Sequence, residues 1–156
     1  MSTIADYLDR TIDYFAFRGV VGVGPLQLQQ SFAGTSGAGE ICTGIQKLVQ
    51  RFVLELLTEK GTIPYDTDRG CTFLTDAVAG RLQTELDVIQ TFNLALIDII
   101  RNLQGEEAET DPTDERFSSA RLLGMTLLPG YLSLRVQVTS QAGTSRVFIL
   151  PLPVVP

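Results

Sequence analysis

Residues 131 to 150 read YLSLRVQVTSQAGTSRVFIL, and the period of this stretch decides the fold. Leu132, Leu134, Val136 and Val138 alternate with Ser133, Arg135, Gln137 and Thr139, which is the two-residue period of a strand with one wet face. Ser140 to Gly143 supply a turn, and Arg146, Val147, Phe148, Ile149 and Leu150 form the return strand of a hairpin. Upstream, Ala120 to Leu128 is a third strand candidate closed by Pro129-Gly130, so the C-terminal third reads as an antiparallel meander. Downstream, Pro151, Pro153 and Pro156 cannot donate ladder hydrogen bonds, and the tail is expected to leave the sheet there.

Further upstream the period changes. Ile41, Ile45, Leu48, Val49, Phe52 and Leu56 recur at helical spacing, with Lys47, Gln50, Arg51 and Glu55 on the other face and Lys60-Gly61 as the stop. A loop through Pro64 and Gly70 leads to a short helix near Phe73 to Gly80. Thr84 with Asp87 three residues on has the form of a helix start, and Leu86, Ile89, Phe92, Leu96, Ile99, Ile100 and Leu103 share one side as far as Gly105. Residues 105 to 115 read as a solvated acidic connector. The fold class is therefore α+β, with two long helices and a short one packed on a C-terminal antiparallel β-meander. Residues 1 to 40 differ in texture: after Ile4, Leu8 and Ile12 come closely spaced glycines and the alternating Leu26-Gln27-Leu28-Gln29. This segment reads as an extended, glycine-rich N-terminal arm on a domain spanning 41 to 156, and its low charge calls for a covering surface.

Counting narrows the chemistry. The 156 residues include no His, two Cys and no Trp, which removes Ser-His-Asp and Cys-His nucleophile systems and His/Cys zinc or haem sites. The net charge is −6, and six acids (Glu106, Glu107, Glu109, Asp111, Asp114, Glu115) fall within the connector, leaving twelve acids against twelve bases elsewhere. No run of bases offers a path for phosphates, so no nucleic-acid partner is expected. Asp6, Asp9, Arg10 and Asp13 break any signal-peptide core. Gln27, Gln29, Gln30, Ser31, Thr35 and Ser36 with many glycines rule against a membrane span in the long uncharged stretch. Cys42 and Cys71 lack CxxC spacing and read as reduced, small apolar residues.

Three motifs approach a known chemistry. Gly39 and Gly44 have phosphate-loop spacing, but Ile45 stands where lysine must be. Asp66 and Asp68 could share a hard cation, but Ala77 stands where a calcium loop needs its glutamate, and a loop in which the aspartates cap backbone N–H groups and Gly70 allows a tight approach is preferred. Glu55 and Asp98 are the best candidates for a proton-holding acid of a glycosidase, with a helix-surface ion pair as the plainer role. No catalytic residue, cofactor or metal is expected.

Read as one unit, Ile45 to Leu74 is IQKLVQRFVLELLTEKGTIPYDTDRGCTFL: a helix ending in Leu-Leu-Thr, then Gly61, the Pro64, Asp66 and Asp68 loop, Gly70 and a short helix. This order resembles the small baseplate wedge proteins of contractile-tailed bacteriophages and related injection machines, sometimes labelled "lysozyme-like". The resemblance runs from about residue 41 to 150. The family carries a Glu-Pro-Arg signature between the long helix and the sheet, used for docking on larger wedge subunits. Here that place reads Asp114-Glu115-Arg116-Phe117, which keeps the acid-x-Arg spacing without the proline. An exposed connector arginine is the alternative reading of Arg116.

The resemblance implies a virion structural protein without enzymatic activity, made in the host cytoplasm and ending in the tail baseplate. Its partners would be larger wedge subunits, docked through Asp114, Glu115, Arg116 and Phe117, and the sheath protein. Tube or hub proteins are further partners for the arm. The sheet would seed the sheath by accepting its strands along Arg146, Val147, Phe148, Ile149 and Leu150, while Gly61, Pro64, Asp66, Asp68 and Gly70 form a structural loop. A peptidoglycan-active tail enzyme and a cytoplasmic assembly adaptor are the alternatives.

Overall fold

A computed structural model describes residues 13–14, 17–18, 27–28 and 41–154. Most of the expected arm lies outside these residues. What is described of it is two short antiparallel pairings, β1 (Asp13–Tyr14) with β4 (Ile41–Cys42) and β2 (Phe17–Arg18) with β3 (Gln27–Leu28).

Helix α1 spans Gly44–Leu57, α2 Phe73–Val78 and α3 Glu85–Glu106. They pack on one antiparallel sheet of β5 (Phe117–Leu128), β6 (Tyr131–Ser140) and β7 (Ser145–Pro153), in the order β5-β6-β7. The α+β meander is thus as its periods predict. α3 lies over β5, α1 lies over β6 and β7, and α2 closes the end between them. Leu132, Leu134, Val136 and Val138 of β6 and Phe148, Leu150 and Leu152 of β7 point into a single core with Leu48, Phe52, Val53, Leu56, Phe92 and Ile99 of the helices. Phe52 stacks on Phe117 with ring centroids 6.2 Å apart and meets Phe148 edge-on at 6.0 Å, tying α1 to both outer strands.

Several boundaries move for local reasons. Ile41 belongs to β4, and α1 begins only at Gly44. Its stop is not Lys60-Gly61: Thr58 ends it, its N–H and hydroxyl both donating to the Leu54 carbonyl. Gln50 and Glu55, assigned to the wet face, are buried. In α3 the Thr84–Asp87 reading holds as a reciprocal capping box, but the buried stripe is Val88, Phe92, Ala95, Ile99 and Leu103. Leu86 and Ile89, expected inside, are 61% and 41% exposed. This helix carries more apolar residues than one face holds, and its small Val88 and Ala95 take the close approach to the core. Among the described residues, no helix is long and apolar enough to cross a membrane.

β7 runs on through Pro151 and Pro153 where the tail was expected to leave the sheet. Both prolines sit where their nitrogens face away from β6, so the ladder loses nothing by their missing hydrogens.

Candidate functional site

The phase of the β6–β7 hairpin decides which backbone groups of β7 are open. Ser140 N–H donates to the Thr144 carbonyl at 2.9 Å. By the alternation of an antiparallel ladder, the bonded pairs are then Val138 with Arg146, Val136 with Phe148, Leu134 with Leu150 and Leu132 with Leu152. The N–H groups of Ser145, Val147 and Ile149 point to the edge on which no other described strand pairs, followed by the hydrogen-free nitrogens of Pro151 and Pro153. Of the five residues expected to receive a strand, Val147 and Ile149 present donors there. Arg146, Phe148 and Leu150 turn theirs toward β6, and the side chains of Phe148 and Leu150 are in the core. Among the described residues the open window is Ser145 to Ile149, and the prolines beyond Ile149 stop pairing further along.

The Asp114–Phe117 connector is divided between inside and outside. Glu115 is 3% exposed: one carboxylate oxygen accepts the Gly44 N–H at 3.0 Å, and the other meets Lys47 Nζ at 3.1 Å. It sits on the positive end of α1 and satisfies a donor that the helix leaves free. Phe117 is fully buried against Phe52. These two residues belong to the domain's interior and cannot serve as docking groups, because each already fills a site that would be left empty. Asp114 and Arg116 remain, both half-buried. The Arg116 Nε is shielded from solvent and has no acceptor among the described residues, as is also so for the Arg146 Nε.

The rest of the connector is also more engaged than a solvated run. Glu107 accepts the Phe117 N–H, Asp111 accepts the Ala108 N–H at 2.8 Å, and Glu106 pairs with Arg51 and Arg69 at 3.1 and 2.9 Å. Burial pushes the Glu107 carboxyl above its ordinary range, opposed by the Phe117 N–H.

The loop with Gly61, Pro64, Asp66, Asp68 and Gly70 closes on itself. Thr58 and Lys60 exchange backbone hydrogen bonds with Cys71, and Gly70 adopts φ +83° with its α-carbon pressed on Thr58. A Cβ there would lie 2.3 Å from the Thr58 carbonyl oxygen, so only glycine fits. The aspartates do not cap this loop: Asp66 and Asp68 are exposed, and its fastening carboxylate comes from α1. Glu55, 1% exposed, accepts from Arg69 Nε at 2.7 Å, Gly70 N–H at 3.1 Å and Asn102 Nδ2 at 3.1 Å. Asn102 also reaches the Asp68 carbonyl. Glu55 is therefore neither a surface ion pair nor an open acid; it clamps the loop to both long helices. Asp98 does form the plainer pair, with Lys60 at 3.0 Å and Arg101 at 2.8 Å.

Arg69, Asn102 and Glu107 were not singled out from the sequence. Asn102, interrupting the apolar run of α3 between Ile100 and Leu103, carried the one visible signal. Among the described residues, no three His, Cys, Asp or Glu side chains are placed to hold a metal ion. Cys42 and Cys71 are buried and are not joined in a disulfide. Burial raises Cys71 to about 11, and its thiol donates to the Leu56 carbonyl at 3.5 Å. The chain matches no family model, no curated protein and no solved structure.

Proposed function

We propose that the protein is a structural subunit of a contractile-tail baseplate wedge, one that docks on larger wedge subunits and starts the sheath by accepting a strand. The observation that carries this reading is the open window of β7. Val147 and Ile149 turn their N–H groups away from the sheet between a hairpin turn and two prolines, a docking rail of defined length for an extended segment of another chain. Arg116, partly exposed just before β5, keeps the acid-x-Arg spacing that the resemblance assigns to docking on larger wedge subunits. The order of Leu-Leu-Thr, Gly61, Pro64-to-Asp68 loop and Gly70 supports the family resemblance, and the Glu55 clamp gives that order a structural reason. With both of its oxygens held by donors, Glu55 is a fastening group and takes no catalytic part.

The test is quantitative mass spectrometry of purified contractile particles, with baseplates separated from detached sheath. The reading predicts the protein in fixed, low copy number with the baseplates. Its absence from finished particles would discard the wedge role and return the assembly adaptor.

A further inference from the structure

The charges of this chain divide at Phe117. All eighteen acids precede it, and residues 117 to 156 hold Arg121, Arg135 and Arg146 with no acid among them. Earlier in the chain, Lys47, Arg51, Lys60, Arg69, Arg81 and Arg101 each have a carboxylate within 3.1 Å. Arg121 and Arg135 are exposed on the sheet face turned away from the helices, where water solvates them.

Arg146 is placed differently. It stands two residues before Phe148 and opposite Val138, both fully buried, so its side chain leaves β7 on the helix side of the sheet. It is half-buried, its Nε is shielded from solvent, and its side chain has no ion pair or hydrogen bond among the described residues.

A guanidinium without a counter-charge at this place works against most added strands. The backbone groups of Arg146 bond to β6, so toward the open edge it belongs to a non-bonded pair, in which Cα atoms lie about 4.5 Å apart and side chains are closest. An apolar residue of an added strand would cover the cation without giving it an acceptor, and a lysine or arginine would repel it. Inward-turned charges of this kind keep sheet edges from pairing indiscriminately. A glutamate or aspartate removes the penalty and adds charge-assisted hydrogen bonds, so the residue that works against other strands selects an acidic one. The neighbouring positions ask for something else: Val147 and Ile149 are half-buried and Phe148 and Leu150 lie in the core, so an added strand meets apolar side chains there on both faces.

We propose that the strand received by β7 carries a carboxylate opposite Arg146 and β-branched or apolar residues opposite Val147 to Leu150, running antiparallel to β7, the commoner and slightly stronger pairing. This rests on the strand-acceptance reading above and specifies the chemistry of its partner.

The test is a nuclear magnetic resonance titration of the full chain with three blocked hexapeptides. They read Val-Thr-Val-Thr-X-Thr, where X is glutamate, valine or lysine and faces Arg146 in the proposed register. Amide shifts at Val147 and Ile149 should report binding, with the glutamate peptide held about fivefold more tightly than the valine peptide and the lysine peptide weakest. Arg146→Glu should invert the order and Arg146→Gln should abolish it, while the remaining amide resonances report that each variant is folded. Equal affinities for the three peptides, or a glutamate preference that survives in Arg146→Gln, would overturn the proposal and leave strand acceptance standing. No shift at Val147 or Ile149 with any peptide at about 5 mM would overturn strand acceptance and the proposal with it.

Discussion

The two edges of this sheet are limited by different chemistry. β7 is regular but short: its donors at Ser145, Val147 and Ile149 are followed by Pro151 and Pro153, so a partner strand finds a straight rail that stops. β5 is long and free of proline, but the bulge at Leu123 shifts its phase. A proline limits how far a partner can pair, whereas a bulge only twists and bends its strand: β6, regular along its length, pairs with β5 on both sides of Leu123. Among the described strands each edge has a single neighbour, β6, and the two edges differ in length and regularity.

The largest expected effect tests the phase assignment on β7. Phe148→Pro removes a ladder donor and a core ring together and should cost about 4 kcal/mol or more. Val147→Pro, one residue away, should change stability by less than about 1 kcal/mol while abolishing strand acceptance. Urea denaturation of both variants separates them, and equal losses would mean that the two strands pair in the other phase.

Next in size is the contrast between two left-handed glycines. Gly70→Ala should cost about 3 kcal/mol, since the new methyl meets the Thr58 carbonyl as well as a strained backbone, and the Glu55 clamp should loosen with it. Gly143→Ala, at φ +79° with nothing within 4 Å, should cost about 1 kcal/mol. Similar melting temperatures for the two variants would contradict the tight closure at Thr58.

Glu115→Gln comes third, at about 1 to 2 kcal/mol: the Gly44 hydrogen bond survives, but the charge facing Lys47 and the α1 terminus is lost. A neutral result in thermal denaturation would return Glu115 to the docking surface.

The smallest effect is in pH dependence, and its two contributions have opposite sign. The hydroxyl and N–H of Thr84 hold the Asp87 carboxyl below its ordinary value of 3.8, so the cap's contribution is full above that value and fades as pH falls through the lower folded one. Glu107, raised above 4.5 by burial, contributes fully below its ordinary value and loses that contribution as pH rises through the folded one. Asp87→Asn should flatten the acid limb of a melting-temperature profile, and Glu107→Gln the limb above it.

Much of this was legible from periods. The alternation from Leu132 to Val138, the helical spacing from Ile45 to Leu56 and the Thr84–Asp87 box each state their element locally, because the pattern and the hydrogen bonds involved lie within a few residues. The candidate site was legible only in outline. Pro151 and Pro153 looked like the end of a strand because sequence does not reveal which way a nitrogen faces; that depends on the phase set at Ser140 and Thr144. Glu115 and Phe117 looked like surface because their partners, Gly44 and Phe52, are some seventy residues away. Glu55 looked like a wet-face residue because Arg69 and Asn102 reach it only after the loop closes on Gly70. The bulge at Leu123 has no local signature beyond a neighbouring glycine.

The central claim is that the Ser145-to-Ile149 edge receives a strand in the assembled tail. Amide hydrogen exchange of this segment, compared between the purified protein and the protein within intact baseplates, tests it most directly. Strong added protection at Val147 and Ile149, with Phe148 and Leu150 already protected in the free protein, is the predicted result. Equal, rapid exchange at Val147 and Ile149 in both states would contradict it.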